Sequence, residues 1–220
     1  MPKLKIGING FGRIGRAVTR IVTLRNTCEI VHINTRKTSN EMLAYLLRRD
    51  SVYRTFEKSV KALEDGIEVD GRKITTSQCA TIQEIPWDAH DVDIVMDATG
   101  AFTTKAELMQ HIKGSVKHVI LTAPAKDHEI THVVLGVNDR DINFTEVQVI
   151  SNASCTTNCA APLFKILQNE FGVNRGYLTT AHAYTQTQSL LDDAGKTEER
   201  SRAAALNIIY PRLHIPNINF

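Results

Sequence analysis

The first 150 residues alternate short apolar runs with segments whose apolar residues recur at helical spacing. Residues 3–9 are a predicted strand, which a glycine turn, Gly10 to Gly15, connects to a predicted helix. The apolar positions of that helix are Ile14, Val18, Ile21 and Val22. Residues 29–34 (EIVHIN) are again a predicted strand, so this segment has the order and length of a right-handed crossover between parallel strands.

The same alternation continues along the chain. Ser39 is the predicted N-cap of a second helix. The apolar face of that helix comprises Met42, Leu43, Leu46 and Leu47. Residues 57–76 favour a hairpin pair, because Gly66 and the Asp70–Gly71 step interrupt short β-prone runs. The remaining predicted elements are a helix at 105–112 and strands at 94–97, 118–122, 133–136 and 147–150. This order predicts an α/β fold with a Rossmann-type doubly wound parallel sheet.

The glycine turn has the spacing G-x-G-x-x-G at Gly10, Gly12 and Gly15. Such a turn alone is weak support for a ligand, since many tight turns before a helix contain glycines. Its place between a strand and a helix favours a dinucleotide site, in which Gly12 lets backbone approach a pyrophosphate and Gly15 allows close packing. The N–H groups at the helix start would face the phosphates. The predicted cofactor is NAD or NADP.

The adenosine ribose of NAD is usually held by an acidic residue about 20 residues past the last glycine. That position is Thr35, which cannot act as a bidentate anionic acceptor. Arg36 and Lys37 follow, with positive charge suited to a 2′-phosphate. Use of NADP, alone or beside NAD, is one interpretation. The other is that both cations simply point into solvent.

The block Ser151–Cys159 (SNASCTTNC) opens a predicted helix that runs to about Phe171 and stops at Gly172. Cys155 falls in the first turn, where the helix dipole lowers the pKa of a thiol. The alternative for any cysteine is a small buried hydrophobe, but the polar flanks of Cys155 favour the reactive thiol. Cys159 is expected to pack inward or to buffer the site. The C-x-x-x-C spacing suits neither a zinc pair nor a redox pair, and we predict no metal site.

His182 is the candidate base for that thiol. It lies near the end of a strand-like run, 176–184, and imidazole has the unperturbed pKa closest to neutrality. Beside a thiolate it would form an ion pair. Because a single histidine is more often structural or solvated, the residues alone leave its role open.

The composition of the chain mainly excludes classes of partner and of protein. The 220 residues carry a net charge of +2, which gives no case for a nucleic-acid or membrane-surface partner. The four cysteines are too few and too irregularly spaced for a disulfide framework, and the N-terminus lacks the pattern of a secretion signal. No stretch has the length of a membrane span. We therefore expect a cytoplasmic protein with free thiols.

Several segments together resemble the glyceraldehyde-3-phosphate dehydrogenase family in order and spacing. They are INGFGRIGR, YLLRRDSV, DATGAFT, LTAPAKD, SNASCTTNC and HAYTQTQSLLD. The resemblance implies oxidation of glyceraldehyde 3-phosphate, with inorganic phosphate and NAD or NADP, to 1,3-bisphosphoglycerate. It also implies that Cys155 is the nucleophile, which passes through a thioester, and that His182 activates this thiol.

The resemblance assigns binding residues as well. Positions that hold the phosphate groups of substrate and attacking phosphate match Ser154, Cys155, Thr156 and Thr185. The predicted cofactor-binding residues are Gly10, Gly12, Arg13, Ile14, Gly15, Asn34, Thr35, Thr99, Gly100 and Thr122. Since the family assembles as tetramers, a homo-oligomer is expected.

The chain departs from the family pattern in two places. Thr35 stands where the family usually has an aspartate, and the resemblance ends near Ile209, before an ending (YPRLHIPNINF) typical of a frameshift or premature stop. We therefore expect a Rossmann domain at 1–152, an incomplete α+β catalytic domain at 153–209 that is loose on its own, and a divergent tail at 210–220.

Three hypotheses of function remain at this stage. The first is an enzyme that is active if the rest of the family's catalytic domain is supplied. The second is a truncated, catalytically inactive dinucleotide-binding fragment. The third is a thiol-reactive sensor built on Cys155, which needs only the activated cysteine.

Overall fold

The computed structural model describes residues 2–210. The strands in chain order are β1 (Lys5–Asn9), β2 (Glu29–Asn34), β3 (Arg49–Asp50), β4 (Arg54–Thr55), β5 (Val60–Leu63), β6 (Gly66–Val69), β7 (Arg72–Ser77), β8 (Ile94–Asp97), β9 (His118–Leu121), β10 (Thr131–His132) and β11 (Val149–Ser151). The α-helices are α1 (Arg13–Arg25), α2 (Asn40–Arg48), α3 (Lys105–Leu108) and α4 (Cys155–Phe171).

The chain forms two compact units that divide between Ser154 and Cys155. The strands and α1–α3 belong to the first unit, and α4 belongs to the second. The expected domain ranges 1–152 and 153–209 stay predictions. Of the predicted tail, residues 211–220 lie outside the described residues.

Strand β1 lies inside a nine-stranded sheet of order β10-β11-β9-β8-β1-β2-β7-β6-β5. It pairs in parallel with β2 and β8, and parallel pairing continues from β8 through β9 and β11 to β10. On the other side β7 pairs in parallel with β2, and β5 to β7 form the predicted antiparallel ribbon. The α/β class and the Rossmann-type sheet are confirmed. Because successive crossovers leave β1 in opposite directions, its carboxyl end is the switch point at which such sheets bind ligands.

Two apolar clusters cover the two faces of this sheet. Successive side chains of a strand point to opposite faces; Val95 of β8 belongs to one cluster, whereas Ile94 and Met96 pack against the other. Helices α1 and α2 contribute to the first cluster, and α3 contributes Leu108 to the second. The helices therefore lie on both faces, as a doubly wound sheet requires.

Helix α1 forms where the pattern predicts it, but only two of its four predicted apolar residues, Val18 and Val22, pack against the first cluster. The buried residues are Gly15, Thr19 and Arg20, whereas Ile14 and Ile21 are 50% and 49% exposed. The face toward the core therefore combines these two valines with small or hydrogen-bonded residues. Apolar spacing alone does not reveal such a face.

Arg20 is the buried cation of this helix. Its Nε and Nη2 donate to the carbonyl of Leu47 at 3.0 and 2.6 Å, and both Nη atoms donate to the carbonyl of Arg54 at 3.2 Å. The guanidinium also lies 5.1 Å from the ring centroid of Phe56. Burial of the charge is tolerated because its donors are satisfied by backbone acceptors.

Helix α2 begins as predicted, with the hydroxyl of Ser39 accepting from the N–H of Met42 at 3.4 Å. Leu43 and Leu47 are buried, but Met42 is 48% exposed. The predicted helix at 105–112 consists of α3 followed by a 3-10 turn, Met109–His111.

The predicted strand at 133–136 is wrong, since the strand in this region is β10, Thr131–His132. Asn138 explains the difference, because its side chain accepts from the N–H of Val134 at 2.9 Å and donates to the carbonyl of His132 at 2.8 Å. These bonds close a turn where the apolar residues suggest an extended chain.

In the second unit, α4 begins at Cys155, which places this residue in the first turn as predicted, and it ends at the predicted Phe171; Gly172 follows with a φ of +69°. Its buried residues are Thr157 and Ala161, one turn apart. Cys159 lies two residues from each, on the opposite side of the helix, and is exposed. The expectation that Cys159 packs inward is therefore wrong.

The rest of the second unit has little regular structure. Residues 176–184 were expected to form a strand, but no strand is found between residues 172 and 210 of the described chain. Within α4 the exposed apolar side chains, 46–80% accessible, are Leu163, Ile166, Leu167 and Phe171. Among residues 2–210, no helix combines the length and apolar character needed to cross a bilayer.

Candidate functional site

The turn after β1 is close-packed around its first glycine. Gly10 has a φ of +93°, and a Cβ there would lie 2.9 Å from the carbonyl carbon of Ala98. A Cβ on Gly15 would lie only 2.3 Å from the carbonyl oxygen of Gly10. Both positions therefore need glycine. A Cβ on Gly12, by contrast, would meet nothing within 4 Å, so space is open beside the turn.

The start of α1 has free backbone donors. Gly12 is its N-cap and makes no side-chain cap hydrogen bond, and the first turn contains no acidic residue. The first N–H groups of a helix have no partner within the helix, so this end is suited to an anion such as a pyrophosphate. Arg13 forms an ion pair with Asp50, and the side chain of Ile14 is half exposed.

A cavity of about 280 Å³ opens at the carboxyl ends of the central strands. Its lining includes Gly10 after β1, Asn34 and Thr35 at the end of β2, and Thr99 after β8. Apolar side chains such as Ile82 and Phe102 complete the wall. This position is the switch point of the sheet, where a dinucleotide is expected.

Asn34 shapes this cavity through a saturated amide. Its Nδ2 donates to Asn9 Oδ1 at 2.9 Å and to the carbonyl of Cys79 at 3.1 Å. Its Oδ1 accepts from the hydroxyl of Ser77 at 2.8 Å and from the N–H of Cys79 at 2.9 Å. Because both donors and both acceptor positions are occupied, Asn34 holds the wall in place and has no group left for a ligand.

Thr35 is 6% exposed and lines the same cavity. Its N–H donates to the carbonyl of Ser77 at 2.9 Å, but its buried hydroxyl has no hydrogen-bond partner among the described residues. An unpaired buried hydroxyl is unfavourable, so a ligand that bonds to it would recover free energy. This observation fits a nucleotide in the cavity.

Asp97 binds two residues of the cavity lining, Asn9 and Thr99, and was not singled out by sequence reasoning. Its carboxylate accepts from Asn9 Nδ2 at 2.8 Å and from the hydroxyl and N–H of Thr99 at 2.7 and 3.1 Å. The available signal was an acidic residue at the end of β8, next to a turn. Gly100, with a φ of +67°, and Thr122, whose hydroxyl donates to the carbonyl of Asp97, lie outside the lining.

The second unit brings Cys155 and His182 together. Cys155 is the first residue of α4, and its Sγ lies 3.0 Å from Nε2 of His182. His182 Nδ1 donates to the carbonyl of Ala183 at 2.6 Å, which leaves Nε2 free to exchange a proton with the sulfur. Both side chains are largely open to solvent, so the sulfur is accessible to a substrate.

Each partner shifts the pKa of the other. Burial raises the pKa of the Cys155 thiol, but hydrogen bonding and charge from His182 and hydrogen bonds from Thr156 outweigh it, and the net pKa is lowered. The carbonyl of Ala183 and then the Cys155 sulfur raise the pKa of His182. These directions favour a thiolate beside an imidazolium.

The remaining predicted phosphate-binding residues lie near this pair in sequence. Thr156 is the next residue of α4, and Ser154 directly precedes the helix. The hydroxyl of Thr185 shares a hydrogen bond of 2.9 Å with that of Thr187. Their binding roles stay predictions.

The fold and these side chains define an α/β protein of the dinucleotide-binding class, followed by a unit with a cysteine–histidine pair at a helix start. Residues 4–105 match the family model described as glyceraldehyde 3-phosphate dehydrogenase, NAD binding domain. Residues 154–214 match the C-terminal domain of the same family. The chain belongs to the glyceraldehyde-3-phosphate dehydrogenase family. The second match continues past Ile209, so the start of the predicted tail lies inside it.

Curated relatives agree with this membership. The chain is 44% identical over 207 residues to glyceraldehyde-3-phosphate dehydrogenase 2 of Bacillus subtilis, across 94% of this chain and 60% of that protein. It is 46% identical over 205 residues to glyceraldehyde-3-phosphate dehydrogenase 1 of Bacillus cereus, across 93% of this chain and 61% of that protein. The cytosolic enzyme of Chlamydomonas reinhardtii is 45% identical over 208 residues, with 94% and 60% covered. The chain thus spans about 60% of the length of these relatives. The NAD-binding match also confirms NAD or NADP as the cofactor class.

Proposed function

We propose that this chain carries the oxidative chemistry of a phosphorylating glyceraldehyde-3-phosphate dehydrogenase. The product would be 1,3-bisphosphoglycerate, formed from glyceraldehyde 3-phosphate and inorganic phosphate. The observation that carries the proposal is the 3.0 Å approach of Cys155 Sγ and His182 Nε2 at the start of α4. This pair supplies a nucleophile and a base within hydrogen-bond distance.

In the proposed reaction, the Cys155 thiolate attacks the aldehyde carbon and forms a carbon–sulfur bond. The resulting alkoxide takes the proton of His182 and becomes a hemithioacetal. His182 then removes that hydroxyl proton as a hydride leaves the same carbon, which produces a thioester. Attack by a phosphate oxygen forms a carbon–oxygen bond and breaks the carbon–sulfur bond, so the acyl phosphate leaves, the thiolate is restored, and the proton of the attacking hydrogen phosphate passes to solvent.

The oxidation needs a hydride acceptor, and NAD or NADP supplies one when bound. The residues that fit a dinucleotide are those at the end of β1 and β2. Gly10 and Gly15 permit the close-packed turn, Gly12 leaves open space in which a pyrophosphate would lie, and the unpaired hydroxyl of Thr35 in the cavity wall would be available to the nucleoside end. We assign Ser154, Thr156 and Thr185 to the phosphate groups of substrate and attacking phosphate on the resemblance alone.

A second candidate function is dinucleotide binding without turnover. It is favoured by the second unit, in which α4 buries only Thr157 and Ala161 and exposes its apolar side chains. A site on a poorly packed element is less firmly positioned for chemistry. A thiol-reactive sensor at Cys155 is the third hypothesis, and it requires the same sulfur without the oxidation.

We further propose a homo-oligomer in the cytoplasm. The resemblance of residues 186–202 to the family's inter-subunit segment supports the assembly. The free cysteines of residues 2–210 suit a reducing compartment.

Turnover separates the hypotheses. We expect glyceraldehyde 3-phosphate, phosphate and either dinucleotide to give reduced cofactor, measured by absorbance. Cys155→Ser should abolish this signal, and His182→Gln should reduce it by roughly 10²–10⁴-fold. Dinucleotide binding without any reduced cofactor would reject the first hypothesis and favour the second or the third. Cys159→Ser is the matched control, since that thiol is also exposed but is not paired with His182.

A further inference from the structure

We infer that the cavity of the first unit prefers NADP to NAD, through a 2′-phosphate subsite formed by Thr35 and Arg36. The inference rests on the proposed use of a nicotinamide dinucleotide. It does not depend on turnover, because it concerns only the adenosine end of the cofactor.

The charge of the cavity is the first argument. Its lining, which lies wholly within the described residues, contains one charged side chain, that of Arg36, and no carboxylate. Recognition of an unphosphorylated ribose usually uses a carboxylate that accepts from the 2′-hydroxyl. A guanidinium is a donor only, so it can bind the 2′-phosphate of NADP but cannot accept from the 2′-hydroxyl of NAD.

The availability of the cation is the second argument. Arg36 and Lys37 are exposed, and within residues 2–210 neither makes an ion pair or a hydrogen bond. Arg13, in contrast, is already bound to Asp50. A 2′-phosphate at the end of β2 would therefore displace no existing partner of Arg36 and would gain bidentate, charge-assisted hydrogen bonds.

The unpaired hydroxyl of Thr35 is the third argument. It is buried at the end of β2, in the cavity wall, and has no partner among the described residues. Strand order places the adenosine ribose at this edge of a Rossmann sheet. The hydroxyl can donate to a phosphate oxygen, whereas a carboxylate at this position would repel it.

Calorimetric titration of the full chain tests the inference. NADP⁺ should bind at least about tenfold more tightly than NAD⁺ at low salt, and 2′,5′-ADP should show a similar advantage over 5′-AMP. The adenosine fragments lack nicotinamide, so their binding reports the subsite alone. The advantage should shrink as salt is raised, because it comes from an exposed cation.

Variants locate the preference. Arg36→Gln should remove most of the NADP advantage and leave NAD⁺ affinity unchanged, whereas Arg72→Gln, at an exposed arginine outside the cavity lining, should change neither. Thr35→Asp should reverse the preference toward NAD⁺; the surface variant Arg36→Gln tests the subsite even if this one folds poorly.

The outcomes are distinct. Equal or tighter binding of NAD⁺ to the unmodified chain would overturn the inference and leave the Cys155 chemistry untouched. Binding of neither dinucleotide would overturn it together with the cofactor assignment. NADP⁺ preference without reduced cofactor would support the subsite while the proposed function fails.

Discussion

The indole N–H of Trp87 donates to Nδ1 of His111 across 3.1 Å, and both side chains are fully buried. Since Nδ1 accepts, the ring proton of His111 resides on Nε2, which faces Asp97 Oδ2 at 3.2 Å. Nε2 of His111 therefore donates to Oδ2 of Asp97. Trp87 thus fixes the tautomer of a residue that supports the cofactor cavity.

Asp97→Asn should destabilise the first unit by about 2–4 kcal/mol. In the variant, an NH₂ group would replace one of the two carboxylate oxygens that now accept hydrogen bonds. The buried donors that point at that oxygen would lose their acceptor. Urea unfolding followed by the fluorescence of Trp87, the single tryptophan of the chain, measures the loss. Asp91→Asn is the control, because the Asp91 side chain is 78% exposed. Equal effects of the two changes would show that the network is not stabilising.

Two glycine substitutions in the turn should behave differently. Gly15→Ala would place a Cβ 2.3 Å from the carbonyl oxygen of Gly10, and we expect a loss of about 2 kcal/mol or more in unfolding free energy. Gly12→Ala meets nothing within 4 Å, so stability should change by less than about 1 kcal/mol, but the methyl group should weaken dinucleotide binding. Unfolding and calorimetry measure the two effects. Normal dinucleotide affinity in the Gly12→Ala variant would contradict a pyrophosphate at this turn.

Lowering the pH should reduce the free energy of unfolding of the first unit, because His32 becomes protonated more readily in the unfolded chain. Burial and the nearby His90 lower the pKa of His32 to about 4, from an ordinary value of 6.5. Below pH 6.5 His32 is protonated in the unfolded chain, whereas in the folded chain it stays unprotonated until about pH 4. The contribution of His32 to the free energy of unfolding is therefore complete above pH 6.5 and is lost as the pH falls from 6.5 to about 4. We expect a loss of about 2 kcal/mol between pH 8 and pH 5 from this group.

The pH series is best compared between variants, with unfolding monitored through Trp87. His32→Gln should flatten the slope between pH 6.5 and 4, whatever its effect at pH 8. His128→Gln, at an exposed histidine, should leave the slope unchanged. An unaltered slope in the His32 variant would assign the acid sensitivity to other groups.

Alkylation should report the thiolate of Cys155. Because its pKa is lowered, the rate of reaction with iodoacetamide should have its pH midpoint below the ordinary 9.0 and should fall as pH decreases through the lowered value. His182→Gln removes the hydrogen bond and the positive charge, so the midpoint should rise and the rate at pH 7 should drop by about tenfold.

Peptide mass spectrometry separates Cys155 from the exposed Cys159, which serves as an internal control within one turn of the same helix. If both thiols had the same midpoint in the unmodified chain, the activation of Cys155 would be refuted.

Much of the first unit follows from local pattern. Strands β2 and β8 have the predicted bounds, and in the second unit α4 ends at the predicted Phe171, because apolar runs and glycine stops are local signals. The buried Arg20 and the turn at Asn138 were not predictable, since each depends on acceptors or donors that only the folded chain supplies. Periodicity describes apolar burial and carries no information on such polar contacts.

The site divides in the same way. The position of Cys155 at a helix start is a local property of the sequence. His182 lies 27 residues further along the chain, so only the structure could show that the two side chains are in contact. The predicted strand leading to His182 is not formed, because an extended segment becomes a strand only when it is paired. The motif spacing found the glycine turn, but it could not show the four hydrogen bonds by which the Asn34 amide holds the cavity wall.

The helix that presents its start to the glycine turn is tied to the rest of the first unit at two levels. Arg13, in its first turn, pairs with Asp50, and Arg20, two turns later, is locked onto the carbonyls of Leu47 and Arg54. Because both arginines hold the helix in place, it has little freedom to rotate or shift when a nucleotide binds. Its N–H groups are preorganised, so binding loses little conformational entropy there, and affinity differences between nucleotides should arise at the ribose edge of the cavity.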